Sequence, residues 1–291
     1  TDLPRLRRCI GSGADGLGRG RRGAGRHPHR LRRPPGGPSP GVVPYTASAL
    51  YLWHLGLPDR AVERASNGLA MARQLNHPFT QAYALFHVGF LDILRREWHM
   101  VYERATSVLE IAEEYGYEVW RALALILQGV AMAGLGSPEP GLALSDRGIA
   151  QYQGLTTPPV FWPLLLSVRA RGFALGGRPA DGLAPIDEAI EAFGGRVNIL
   201  YPELPLIKGD LLLALSGADE AEPWFQNAFD VSRDVEARMS QLRAATRLTR
   251  LWRTEGKRAD GTDMLRGVYE MFTEGFDTPD LVEARTELGD G

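Results

Sequence analysis

Residues 11–16 read Gly-Ser-Gly-Ala-Asp-Gly, a literal G-x-G-x-x-G. That pattern holds a pyrophosphate only where it follows a strand and opens a helix, so that backbone N–H groups converge on the anion. Here no strand-like run precedes it, and arginines and further glycines follow, so no phosphate loop is expected. The six histidines are His27, His29, His54, His77, His87 and His99. None has a second histidine three or four residues away in a helical stretch, so they predict no metal site. His77 falls in an Asn-His-Pro turn, and His54 and His87 read as structural residues of helices. The carboxylate pairs Glu113-Glu114 and Glu203/Asp210 fall on amphipathic stretches and read as solvated faces. Serines and histidines occur, but nothing places a nucleophile, a base and an orienting group together. No catalytic residue and no cofactor is expected, and the chain reads as a non-enzymatic one.

Composition narrows the setting. With 44% hydrophobic and 23% charged residues, 291 residues suffice for a sizeable core. No apolar run approaches the roughly 18 residues of a membrane span. Cys9 is the only cysteine, which excludes an internal disulfide framework and a multi-cysteine zinc site and points to a reducing cytoplasm. Residues 1–40 hold ten arginines against Asp2 and Asp15, a net of +8, while the remainder holds 23 basic and 33 acidic residues, a net of −10. The first segment has nine glycines, six prolines and no apolar periodicity, so it is expected to be disordered. An arginine-glycine tail attracts nucleic acid electrostatically, but no aromatic precedes Tyr45 to stack on bases. Gly, Arg, Pro and Ala share GC-rich codons, which reads as a frameshifted stretch or one outside the natural domain; translation of the other two frames checks this.

From Val42 onward the chain repeats about every 40 residues. Small residues recur at Ala49, Gly89, Gly129, Ala170, Gly209 and Thr249. Three positions later comes a large apolar residue in five of six copies (Leu52, Met132, Phe173, Leu212, Trp252), with Asp92 in the second. Seven positions after the small residue lie Gly56, Arg96, Gly136, Gly177, Ser216 and Gly256, and twelve after it Ala61, Val101, Gly141, Gly182, Ala221 and Gly261. A small residue in a helix admits a close neighbour, the large one fills the space beside it, and the turn-type residue ends the helix in left-handed geometry. Proline then opens the next helix, as at Leu57-Pro58-Asp59 and Ser137-Pro138-Glu139. Second helices continue amphipathically over 61–75, 101–115 and 221–231, and no stretch alternates as a strand would. The pattern predicts an all-α, right-handed tetratricopeptide-like solenoid of about six hairpins over residues 41–291, because one hairpin buries its faces only by stacking on others.

Specific words within these repeats resemble a known family. They are "SALYLWHLGLPDRAVERASNGLAMARQLNHPFTQAYALF" (48–86), "RREW" (95–98), "KGDLLLALS" (208–216), "AATRLTRLWRTEGKRADG" (244–261) and the closing "VYEMFTEGFDTPDLVEART". They resemble the C-terminal tetratricopeptide region of bacterial predicted ATPases of the signal-transduction type, in which an AAA-like ATPase and often a class III adenylate/guanylate cyclase domain precede the repeats. The resemblance spans about residues 41–289. The chain has no G-x-x-x-x-G-K-[ST] and no cyclase carboxylate context. The resemblance therefore implies a sensor or scaffold part without its catalytic modules, with a protein or peptide, or those modules, as partner. The tetratricopeptide region of a bacterial transcriptional activator is the alternative reading, and nucleic-acid binding through the tail a weaker one. No membrane partner is expected.

In such solenoids the first helix of each hairpin lines the concave groove. Polar residues intrude there at Asp92, Gln128, Arg169, Arg171, Lys208, Asp210 and Arg250, which makes these seven the candidate groove-binding set. Trp53, Trp98, Trp120, Trp162, Trp224 and Trp252 read as repeat core rather than as a ligand surface. At the C-terminal end Gly275 is expected to stop the twelfth helix and Phe276 to pack back onto it. Thr278 and Pro279 then start a capping helix over 279–288 that turns Leu281, Val282 and Leu288 inward and Glu283, Arg285 and Glu287 toward water.

Overall fold

The computed structural model describes residues 37–156, 161–194, 198–254 and 258–289, all within one unit, residues 33–291. The expectations for the segment before residue 37, and the turn-type residue Gly256, lie outside the described residues. Thirteen helices and no strand occur among those described. They are α1 (Val43–His54), α2 (Pro58–Gln74), α3 (Pro78–Leu94), α4 (Trp98–Tyr115), α5 (Glu118–Gly134), α6 (Pro138–Gln153), α7 (Trp162–Leu175), α8 (Pro179–Phe193), α9 (Glu203–Ser216), α10 (Ala218–Asp234), α11 (Arg238–Thr254), α12 (Arg258–Tyr269) and α13 (Pro279–Leu288). Consecutive helices pack as six hairpins, and α13 lies against α11 and α12. The chain is an all-α helical solenoid with a terminal capping helix.

The repeat columns do what their chemistry suggests. A Cβ on Gly129 would run into the carbonyl oxygen of Gly141 and approach Ser145, and one on Gly182 would meet Leu211 and the Ala170 carbonyl. In the last hairpin Thr249 Oγ1 donates to Gly261 O at 2.9 Å. In these three hairpins the small residue and the one twelve positions later thus mark the crossing point, whereas in the second and fifth Gly89 faces Leu127 and Arg104 and Gly209 faces Phe225. Left-handed backbone closes the first helices at Gly56 (φ 80°), Gly136 (φ 87°) and Gly177 (φ 66°), and in the fifth hairpin one residue late at Gly217 (φ 93°). Arg96 takes the same conformation (φ 61°) in the second hairpin, at a cost of about 1 kcal/mol for a residue with a Cβ. Its side chain explains why it is there, as shown below. Proline stands at the first helical position of α2, α3, α6, α8 and α13, where its missing N–H costs nothing. Trp53 and Trp120 are buried, and Trp98 and Trp162 pack partly buried against the same core.

The core also joins the two ends of the array. One apolar cluster runs from Val42 and Trp53 of the first hairpin through Phe86, Leu123 and Ile126, and also takes in Leu242, Leu265, Phe272, Leu281 and Ala284 from the last hairpin and α13. Two smaller clusters serve α7–α9 and α9–α12. The seam is polar at its rim: Glu274 Oε1 accepts from the backbone N–H of Arg60 at 3.0 Å, and Gly275 N–H donates to Asp59 Oδ2 at 3.1 Å. The C-terminal segment therefore satisfies and acidifies the first turn of α2, where free N–H groups favour a carboxylate.

Several details of the C-terminal segment differ from the sequence reading. α12 ends at Tyr269, and Gly275 (φ 73°) is the residue that rests on the Pro58 ring rather than a helix stop. Phe276 does reach back toward Tyr269, with ring centroids 6.0 Å apart, but stays 41% exposed. Leu281 and Leu288 face inward as expected, joined by Ala284, whereas Val282 is exposed. Glu287 is largely covered at 11% exposure, held by Arg250 and Arg253, while Glu283 is 32% exposed and paired with Arg96 and Arg250.

Gly275→Ala is expected to lower stability by about 2–4 kcal/mol, combining left-handed backbone strain with a methyl driven into Pro58. Gly136→Ala carries the strain alone, since nothing lies within 4 Å of a Cβ there, and should cost about 1 kcal/mol. Urea midpoints of the two variants check this; equal losses would remove Gly275 from the seam.

Candidate functional site

Four first helices, α1, α3, α7 and α9, together with the end of α8 and residues Asn198 and Leu200, line a cavity of about 470 Å³ that opens to the surface. Its walls are chiefly apolar, with Leu50, Phe90, Ile93, Phe161, Leu164 and Leu204 prominent. These side chains come from hairpins one, two, four and five, so the cavity depends on the array holding its curvature. Its lining also includes His54, His87, Arg171 and Glu203, of which Glu203 lies near Arg171 and His54.

Glu203 is the hub of these polar groups. Its Oε1 accepts from Ser240 Oγ at 2.8 Å and Arg243 at 3.0 Å, and its Oε2 from Arg243 at 2.9 Å and Arg171 at 3.2 Å. Burial would push this carboxyl up, but the Arg243 and Arg171 guanidiniums outweigh it and hold it at about 2. Arg243 is 5% exposed and also donates to Leu94 O at 2.6 Å and Asp280 Oδ2 at 2.7 Å. Burial works against its charge, and Asp280 and Glu203 more than restore it, so its pKa is raised. Asp280 in turn pairs with Arg96 at 2.6 Å. Arg96 reaches Glu283 as well, Glu283 and Glu287 meet Arg250, and Glu287 meets Arg253. Charges of alternating sign thus run without a break from Arg171 at the cavity to Arg253 near the surface. The run crosses α7, α9, α11, α13 and the turn after α3. Arg96 occupies a glycine's conformation because only a long cation at that turn bridges Asp280 and Glu283.

Both histidines of the cavity are neutral. Burial pushes His54 down to about 4, against the opposing pull of Glu203, and Arg243 lowers it further. Its Nδ1 is buried with no partner among the described residues. His87 is also lowered to about 4 by burial, and Nδ1 lies 2.8 Å from Tyr83 O. That contact assigns the proton to Nδ1 and leaves Nε2 as an acceptor.

Of the seven candidate groove residues, only Arg171 lines the cavity. The other six are engaged within the array. Asp92 is buried beside Arg95 at 3.0 Å and also holds Arg104. Gln128 donates to Thr106 Oγ1 at 3.0 Å, and Arg169 meets Asp146 at 2.8 Å. Lys208 pairs with Asp187 at 2.5 Å and sits 3.9 Å over the Trp224 ring. Asp210 receives two hydrogen bonds from Arg247, at 2.5 and 2.8 Å, and Arg250 donates to Glu287 at 2.7 Å. The sequence reading missed His54, Glu203, Arg243 and Asp280, and it took Glu203 and Asp210 for a solvated pair. A signal was present: Arg243, Arg247 and Arg250 form an i, i+4, i+7 stripe on one helix and Asp280, Glu283 and Glu287 an i, i+3, i+7 stripe of opposite sign on another. His77 is where its motif puts it, capping α3 by accepting from Thr80 N at 3.3 Å.

Among the described residues no cluster of three or more His, Cys, Asp or Glu side chains is arranged to hold a metal. None of the described helices is long and apolar enough to cross a membrane. No protein-family model matches the chain, and no curated protein matches it.

Proposed function

We propose that this chain is a non-catalytic, ligand-sensing interaction module, the C-terminal regulatory part of a bacterial multidomain signalling ATPase or nucleotide cyclase. The observation that carries the reading is the cavity of about 470 Å³ lined by first helices of four different hairpins. It falls in the size range of small-molecule sites and has their mostly apolar walls with a few polar groups. A ligand that fills it touches helices far apart in sequence, so it favours one curvature of the array over others by differential binding. The ion-pair run ties that curvature to the seam between first and last hairpins. The repeat words and the closing "GFDTPDL" support the parentage. In the bacterial cytoplasm the partner that reads the curvature is an attached ATPase or cyclase module or a separate protein.

The test uses N-phenyl-1-naphthylamine, an uncharged dye that brightens in apolar surroundings. Saturable one-to-one binding to the native chain is expected, lost in Leu164→Trp, which fills the cavity. Bound dye should also slow amide exchange in α1 and α11. No saturable signal, or an undiminished one in Leu164→Trp, sinks the reading.

A further inference from the structure

A cavity with such walls suits an apolar occupant, and its polar groups discriminate among head groups. Glu203 already accepts four hydrogen bonds, two on each oxygen, which fills the acceptor capacity of a carboxylate. It has nothing left for a ligand amine. Arg171 is in the opposite position. Among the described residues one of its five N–H donors meets a protein acceptor, Glu203 Oε2 at 3.2 Å, and that oxygen is shared with Arg243. Burial lowers the Arg171 pKa and the neighbouring Glu203 does not make up the difference, so its charge is under-compensated. On the same Glu203 bears His54, which is 1% exposed and whose Nδ1 has no partner among the described residues. A guanidinium with spare donors thus lines a chiefly apolar chamber.

We propose that the cavity binds a small amphiphilic monocarboxylate, its apolar body among Phe90, Ile93, Phe161 and Leu204 and its carboxylate on Arg171. The assignment rests on the sensing reading above and names the ligand class. Planar two-point pairing of guanidinium with carboxylate explains why arginine stands there. One under-compensated cation matches one negative charge, so a dianionic phosphate would bring an excess into an apolar site. Carboxylate binding would also draw on the cation that Glu203 now shares, which links the ligand to the run of charges reaching the seam.

Titration calorimetry of the full chain with decanoate, decanol and decylamine, each below its micelle concentration, separates the possibilities. Decanoate should bind about tenfold or more tighter than decanol, with decylamine weakest. Arg171→Gln should bring decanoate to the level of decanol while decanol binding persists, and Leu164→Trp should abolish all three. Equal affinities for decanoate and decanol in the native chain, or an undiminished preference in a folded Arg171→Gln, overturn the carboxylate assignment and leave the cavity reading standing. If none of the three binds, both fail. Should Arg171→Gln not fold, the ranking of the three heads on the native chain decides alone.

Discussion

Arg243→Met is expected to destabilise the protein by about 3–5 kcal/mol, the loss typical when one partner of a buried ion pair is removed. The methionine keeps most of the volume, so the effect isolates charge. Glu203 and Asp280, 8% and 3% exposed, would each lose one of the two cations that offset their burial, keeping Arg171 and Arg96 respectively. The Leu94 carbonyl would lose its donor at 2.6 Å as well. Since Leu94 closes α3, Glu203 opens α9 and Asp280 opens α13, a single substitution loosens three places where distant hairpins meet. Arg233→Met is the control. That arginine is 58% exposed and pairs with Asp230 and Asp234 on its own helix, so its loss should stay within about 0.5 kcal/mol. In the double variant Arg243→Met/Asp280→Asn the loss should be smaller than the sum of the single ones, because the uncharged amide no longer needs a cation. Equal losses at Arg243 and Arg233 in urea titrations would show that the run of charges adds nothing to the seam.

The parts of the fold that were legible in the sequence are those set by neighbours in the chain. Pro58 and Pro138 announce helix starts because proline's fixed φ and missing N–H suit a first turn, and they begin α2 and α6 as read. Gly129 and Gly141 announce a crossing because both are small and recur in step. The bounds of α13 follow in the same way from Thr278, Pro279 and Gly289, the last in left-handed geometry. What was not legible depends on partners brought near only by stacking. Gly275 looks like a helix stop until Pro58, on the first hairpin, is found beneath it. Glu203 looks like a solvated acid because Arg243 and Ser240 lie a full repeat away. The cavity is hidden for a different reason. Phe90, Leu164 and Ile207 recur at helical spacing like any core residue, and periodicity cannot tell a side chain that faces another helix from one that faces a space between four. Arg171 was singled out because it breaks an apolar face, which is the one local mark that the site leaves.

Acidification from pH 7 to pH 4 is expected to remove most of the stability of this protein. Burial lowers His54 and His87 to about 4 in the folded chain, against about 6.5 when unfolded. Above pH 6.5 both are neutral in either state and no stability is lost. As the pH falls from 6.5 toward 4 the unfolded chain takes up a proton on each ring that the folded chain refuses, so the balance moves toward unfolding. Each ring contributes about 3 kcal/mol by pH 4, and the two together rival the total stability of an ordinary domain, about 5–15 kcal/mol. Glu203 extends the slope in the same direction. Its folded pKa of about 2 lies below its ordinary value of 4.5, so the stability it supplies is complete above 4.5 and is lost as the pH drops toward 2. Melting temperatures taken every half unit should therefore fall steeply below pH 6.5. His87→Phe should remove about half of the slope between pH 6.5 and 4 while leaving the limb below 4.5, since its ring touches Tyr83, Phe86 and Phe161 and not the ion pairs. A melting temperature that holds level from pH 7 to pH 4.5 would mean that both imidazoles accept protons in the folded state, and that the polar groups of the cavity are open to water.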